Sequence, residues 1–254
     1  MIGYELLLGD CLEKMKGIPD GSVDMILCDL PYGTTDCKWD SIIPFEELWS
    51  QYNRVAKHNA AIVLFSAQPF TTKLINSNFK NYKYCWYWKK NNATGALFAK
   101  VQPMRCVEDI CVFYRKMPTY NPQGIKKLKN PKVSMPHVSQ VYSKKKNPSV
   151  QQYTGYPKHF LDFRNEASDV KKRVHPTQKP VALMEYLVRT YTNEGDVVLD
   201  NCMGSGTTGV ACGNTGRRFI GIELDEKYFQ TAKDRVESAY GRSVNEEIST
   251  QPTV

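Results

Sequence analysis

The sequence predicts an α/β protein with a doubly wound sheet, on three observations. Apolar runs of strand length alternate with amphipathic stretches of helical period. The runs lack clean in-out alternation, as strands buried on both faces do. Two of them run straight into loops bearing a carboxylate, the place where open α/β sheets bind ligands.

In chain order, the reading gives strand 4–8, helix 11–15, strand 23–28, helix 44–57, strand 61–66, helix 69–76, and strands 82–88 and 109–114. After an interruption come helix 180–192, strand 197–199, helix 207–212, strand 219–222 and helix 226–239. Residues from 241 onward are polar and are expected to fray as a tail. The 254 residues, 41% hydrophobic and 24% charged, suit one globular domain with a smaller insertion. The longest apolar runs, such as AAIVLF at 60–65, fall far short of the roughly 20 residues a membrane span needs. The opening MIGYELLLGD has neither a basic leader nor a small-residue cleavage site, so a cytoplasmic protein is expected, with no membrane partner. Eight cysteines, at 11, 28, 37, 85, 106, 111, 202 and 212, form no CxxC pair and mostly sit in apolar segments. They read as reduced thiols, and no metal is expected.

The formal charge of +8 is concentrated. Residues 116–173 hold thirteen Lys or Arg against three acids, a net of +10; the remaining 21 bases and 23 acids leave −2. That stretch also holds six of the fourteen prolines, lacks sustained periodicity and interleaves aromatics with bases in YNPQGIKKLKNPK and YTGYPKHF. It reads as a loop-rich insertion. Bases that neutralise phosphates beside aromatics that stack on nucleobases suit a nucleic-acid surface; a solvated basic linker is the competing reading.

The chemistry lies at two strand ends. In VVLDNCMGSGTTG a strand ends at Asp200, and Gly204 and Gly206 precede a helix, so the backbone can pass close to a ligand and offer helix N–H groups. The next strand, RFIGIE, ends at Glu223, where a carboxylate can accept ribose hydroxyls. Gly204, Gly206 and Gly209 also match the dinucleotide GxGxxG, but the residues that follow are too few for the rest of a dinucleotide fold, which disfavours a dehydrogenase. The second strand end is VDMILCDLPYG, where Asp29 and Tyr32 bracket Leu30 and Pro31.

Asp-Leu-Pro-Tyr resembles the (Asp/Asn/Ser)-Pro-Pro-(Tyr/Phe) motif of amino-group DNA methyltransferases, and 197–209 resembles their S-adenosylmethionine motif. HPTQKP at 175–180 resembles the segment beside the methionine moiety, Gly9-Asp10 the acidic turn near the adenine, and WYWKKN with EDICVF the strand pair behind the base pocket. The order, with the catalytic tetrad first, the basic segment next and the cofactor glycines last, is that of the circularly permuted β class. The resemblance implies a Rossmann-like methyltransferase sheet with an inserted target-recognition region. It divides the chain into a catalytic half (1–115), an insertion (116–173), a cofactor half (174–240) and a tail (241–254).

It also implies S-adenosylmethionine as cofactor and double-stranded DNA as partner, and it allows a homodimer. By resemblance, Asp29, Leu30, Pro31 and Tyr32 are catalytic. Asp10, His175, Lys179, Asp200, Cys202, Gly204, Ser205, Gly206, Thr207, Glu223 and Leu224 attend the cofactor. Trp88, Lys89, Lys126, Lys127, Lys129, Lys144, Lys145 and Lys146 attend DNA. Two departures stand out. Leu30 replaces a proline, although its backbone carbonyl is the expected acceptor, and Asn201-Cys202 replaces Pro-Phe. The acidic first residue of the tetrad favours adenine N6 over cytosine N4. A decayed DNA-binding homologue, or methylation of RNA or protein amines, is the competing reading.

Overall fold

A computed structural model describes residues 3–33, 41–135, 148–164 and 178–249, with side chains to Arg242. His175 and Lys144 to Lys146 lie outside the described residues. Two compact units emerge: a larger one of residues 1–121 and 159–254, and a smaller one of Pro122–Lys158.

The larger unit is built from β1 (Tyr4–Leu8), α1 (Cys11–Met15), β2 (Val23–Asp29), α2 (Phe45–Val55), β3 (Ala56–Ser66), α3 (Phe70–Ser77), β4 (Tyr82–Thr94) and β5 (Arg105–Phe113). The smaller holds β6 (Lys126–Ser134) and β7 (Ser149–Thr154). The chain then returns with β8 (Phe160–Asp162), α4 (Val181–Tyr191), β9 (Val197–Asp200), α5 (Thr207–Asn214), β10 (Arg218–Glu223) and α6 (Glu226–Ser249). The main sheet runs β1-β10-β9-β2-β3-β5-β4-β8. Strands β1, β10, β9, β2 and β3 are parallel neighbours, while β5 is antiparallel to both β3 and β4.

Period-two burial decides which helix covers which face. Ile26, Cys28, Ile62 and Leu64 pack with Met15, Leu48, Trp49, Tyr52 and Leu74 from α1 to α3. Met25, Leu27, Ala61, Val63 and Phe65 pack with Leu183, Leu187, Val188, Ala211, Ala232 and Val236 from α4 to α6. Covering both faces is why these strands read as unbroken apolar runs.

The register gathers the site. β2 meets β9 through Met25 and Ile26 opposite Val198 and Leu199, so Asp29 and Asp200 leave the sheet at the same edge. Chain order reverses at this pair, with β3 on one side and β10 on the other, which is where α/β sheets open a crevice. Because β5 runs backwards, its start lies at that edge, and Glu108 sits opposite Trp88 of β4.

Three expectations change. The basic stretch is not wholly irregular: β6 and β7 pair antiparallel, with Lys126 opposite Thr154 and Lys127 opposite Tyr153. Prolines and exposed bases hid the strands, since almost every residue of β6 is exposed and shows no burial period. The smaller unit is narrower than the charge boundaries 116–173, because Asn121 bonds to Thr190 at the end of α4 and β8 pairs with β4 in the main sheet. Finally, the helix expected at 226–239 is longer, with the backbone of α6 running to Ser249, since helical backbone bonding does not require an apolar face.

Candidate active site

A cavity of about 550 Å³ opens at the carboxyl edge of the sheet, a size usual for small-molecule sites. Every residue lining it belongs to the larger unit. The lining includes Asp10, Asp29, Leu30, Pro31, Tyr32, Trp88, Lys179, Asp200, Cys202, Gly204, Ser205, Thr207, Glu223 and Leu224 from the sequence expectations. It also includes Asn201, noted as a departure from the family pattern, and Lys90, Glu108, Gln178, Thr208 and Tyr228, to which those expectations gave no individual role.

At one end lies the tetrad. Asp29 closes β2; its Oδ1 accepts the Tyr32 hydroxyl at 2.7 Å and its Oδ2 accepts the Lys179 ammonium at 2.5 Å. Lys179 Nζ also lies 3.3 Å from Glu108 Oε2 and 5.1 Å from the centre of the Phe65 ring. Glu108 Oε1 accepts Lys90 Nζ at 2.9 Å. Burial pushes the Asp29 carboxyl upward, the Lys179 ammonium opposes that, and Glu108 adds to it. For Glu108 burial also acts upward, but Lys179 and Lys90 outweigh it and the carboxyl ends below its ordinary value. Burial alone would lower Lys179; the Asp29 and Glu108 carboxylates more than reverse this. Lys179, expected at the cofactor, therefore has its charge occupied by the two carboxylates.

Tyr32 stacks on Phe70, with ring centres 5.2 Å apart. Trp88 is buried, donates its indole N–H to the Phe163 carbonyl at 2.8 Å and still lines the cavity, so it is both core residue and wall. Lys89 does not reach this site. It is exposed and is absent from the cavity lining, because the period of two along β4 turns Trp88 and Lys90 to one face and Lys89 to the other.

At the other end is the glycine loop. Gly204 and Gly206 have φ of +53° and +76°, where a Cβ is strained, and a Cβ on Gly206 would come within 2.9 Å of Ala232 Cβ. Glu223 Oε2 accepts Gly204 N–H at 2.8 Å and Oε1 accepts Asp225 N–H at 2.9 Å. The carboxylate keeps acceptor capacity for a ligand hydroxyl. Asp200 faces the chain more than a ligand: Oδ1 accepts Cys202 N–H at 3.2 Å and Oδ2 accepts the Thr208 hydroxyl at 2.5 Å. Its burial pushes the carboxyl up to about 7, against the pull of the Thr208 bond. Ser205 is tied by its Oγ to Arg235 at 2.9 Å, and Asn201 Oδ1 accepts the Tyr52 hydroxyl at 2.5 Å, so the Asn-Cys departure is braced from α2. Asp10 caps α1, accepting Leu12 and Glu13 N–H at 2.9 and 3.1 Å.

A sulfonium amino acid joined to a nucleoside fits these residues. Glu223 and the Gly204–Gly206 loop offer a carboxylate and open backbone to ribose, and Gln178 Oε1 is a buried acceptor with no partner among the described residues. An unmet buried acceptor is costly unless a ligand supplies its donor.

Comparison with known proteins agrees with this geometry. The chain belongs to the N6/N4 DNA methylase family, whose sequence profile, described as DNA methylase, matches residues 23–234. It is accordingly an S-adenosylmethionine-dependent DNA amino-methyltransferase, with the Rossmann-like sheet of that class. It is 27% identical to the Type II methyltransferase M.HpaI of Haemophilus parainfluenzae, over 97% of this chain and 79% of that one. It is also 27% identical to the DNA adenine methyltransferase YhdJ of Escherichia coli K12, over 95% and 85%. Among solved structures, the M1.HpyAVI–SAM complex superposes with a TM-score of 0.63 at 28% identity, covering 92% of this chain and 98% of that one. The cytosine-N4-specific PvuII DNA methyltransferase superposes with a TM-score of 0.64 at 14% identity, covering 95% and 93%, a likeness of fold alone.

Proposed function

We propose that the protein methylates the exocyclic N6 amine of adenine in double-stranded DNA, with Asp29 and the Leu30 carbonyl holding the amine. The observation that carries this reading is the Asp29 carboxylate at the mouth of β2, fixed by Tyr32 and Lys179 beside a nucleoside-sized cleft. An exocyclic amine is a poor nucleophile because its lone pair is delocalised into the base. Two acceptors that each take an N–H draw the nitrogen toward a tetrahedral geometry and free that pair. Bonds to a charged acceptor are worth about 1.5–3 kcal/mol. S-adenosylmethionine supplies an electrophilic methyl group on sulfur. When bound, the cofactor would give that methyl to the amine and keep the C–S electron pair on its sulfur, and Asp29 would take the proton that the amine loses. Alignment of the reacting atoms supplies much of the remaining acceleration.

A base within a duplex must be flipped to reach the cavity, at a cost of a few kcal/mol. The Tyr32 ring at the rim offsets part of this by stacking, about 1–3 kcal/mol. Lys126, Lys127 and Lys129 on the exposed β6 are read as phosphate contacts. Adenine is favoured by the acidic first residue of the tetrad, and the relative named as a DNA adenine methyltransferase aligns over 95% of the chain.

The test is incubation of unmethylated genomic DNA with methyl-labelled cofactor, followed by nucleoside analysis. Label in N6-methyladenine is expected; label in N4-methylcytosine would reverse the choice of base. Asp29→Ala is expected to abolish transfer while cofactor affinity stays within about twofold. Undiminished transfer would remove Asp29 from the mechanism.

A further inference from the structure

Four ionised side chains form one chain of contacts beside the tetrad: Asp29, Lys179, Glu108 and Lys90. Their charges cancel, and all four are largely withdrawn from water, with side-chain exposures of 26%, 8%, 15% and 12% in that order. One atom in the chain is not satisfied. Glu108 Oε2 is buried and makes no hydrogen bond among the described residues, although Lys179 Nζ is only 3.3 Å away, inside ion-pair distance but outside hydrogen-bond geometry. The same ammonium bonds to Asp29 Oδ2 instead. One buried lysine thus stands between two acceptors, engaged with one and within a short movement of the other.

Resting on the reading of Asp29 as the amine acceptor, we propose that Glu108, anchored by Lys90, is a positioning residue. It receives the Lys179 ammonium when the target amine takes its place on Asp29. With Tyr32 on Oδ1 and Lys179 on Oδ2, Asp29 has both oxygens engaged before a base arrives. An entering N–H competes with a charge-assisted bond, a contest a neutral donor loses unless the ammonium has somewhere to go. A swing toward Glu108 Oε2 satisfies the orphaned oxygen, keeps Lys179 charged and opens Asp29. When the amine gives its proton to Asp29 after methyl transfer, the neutral acid no longer attracts the ammonium, and Glu108 retains it until the proton leaves to solvent. Lys179 keeps its own protons throughout.

The groups facing Asp29 from neighbouring elements are Tyr32, Lys179 and Glu108, with Cys28 behind it and Asp200 on the adjacent strand. Glu108 raises the Asp29 carboxyl and Lys179 lowers it. Their removal must therefore shift the acid limb of the kcat profile in opposite directions.

The experiment measures kcat and KM against pH for the full chain on unmethylated genomic DNA with methyl-labelled cofactor. For Glu108→Gln we expect kcat to fall by about a hundredfold, the scale of a misplaced reacting group. KM and cofactor affinity should stay within about twofold, and the acid limb should move to lower pH. Glu108→Asp should recover part of kcat, and Lys179→Met should move the limb to higher pH. A Glu108→Gln profile superimposed on that of the wild type overturns the proposal, as does an equal loss in Glu108→Asp. If Glu108→Gln does not fold, Lys90→Met replaces it. Glu108 then competes harder for Lys179, so the acid limb should rise; an unmoved limb overturns the proposal. Asp29→Ala separates the two ideas. Full transfer there removes the reading of Asp29, whereas loss there with an unshifted Glu108→Gln profile removes the role of Glu108 alone.

Discussion

Asp200 illustrates how a site residue can act on the chain more than on a ligand. Both its oxygens hold the turn that follows β9, and burial lifts its carboxyl to about 7. An acid raised in the folded state stabilises the fold fully below its unfolded value, and that contribution is lost as pH rises through the folded value. Wild-type stability should therefore fall between about pH 4 and 7 on account of this residue. Asp200→Asn removes the titration, so its melting temperature should gain on the wild type from pH 5 to pH 8; a difference equal at both pH values would show that Asp200 does not titrate in that range. The residue scale is also where the sequence was least legible. Asp29 and Glu223 announce themselves because each ends an apolar run. Glu108 and Lys90 lie in the two segments, EDICVF and WYWKKN, that the family resemblance puts behind the base pocket, but neither stands out there by residue type, and the pairing of Glu108 with Trp88 brings them to the cavity. Continuing β4 in steps of two from Trp88 selects Lys90 and rejects Lys89, which was the signal available.

Among the elements, the turn into α5 tolerates little change. Gly206 caps the helix at φ +76°, and any Cβ there meets Ala232 of α6. Gly206→Ala should cost about 1–3 kcal/mol from the backbone alone, and the displaced loop should weaken cofactor binding. Calorimetry of the variant, read for both melting temperature and cofactor affinity, checks this; wild-type values for both would mean the turn is not strained. Apart from β8, which lay within the basic stretch, the helices and strands of the larger unit were legible because two-sided burial writes apolar runs into the sequence. Strands β6 and β7 were not, because they are exposed along nearly their whole length and bury too little to leave a period.

At the scale of the molecule, the +8 resolves into a scaffold of net −2 and a basic stretch of +10. If β6 meets phosphates, reversing Lys126, Lys127 and Lys129 to Glu should weaken DNA binding. It should also flatten the slope of log affinity against log salt by about one unit for each phosphate the variant leaves unneutralised. An unchanged slope would move the DNA surface elsewhere. Charge marks the basic stretch in the sequence but not its structural edges, since backbone pairing returns Phe160–Asp162 to the main sheet whatever their neighbours' charge.

The adjacency of β2 and β9 also bears on how the protein is made. Asp24 and Val197 share a hydrogen bond of 3.0 Å across 173 positions of chain. The carboxylate proposed to hold the base leaves the ribosome early, while the glycine loop and Glu223 emerge near the end, and closing so long a loop is a late step in folding. If the glycine loop and Glu223 hold the methyl donor, an interrupted translation product carries the tetrad without a donor site, and transfer is expected only from a chain synthesised through β10.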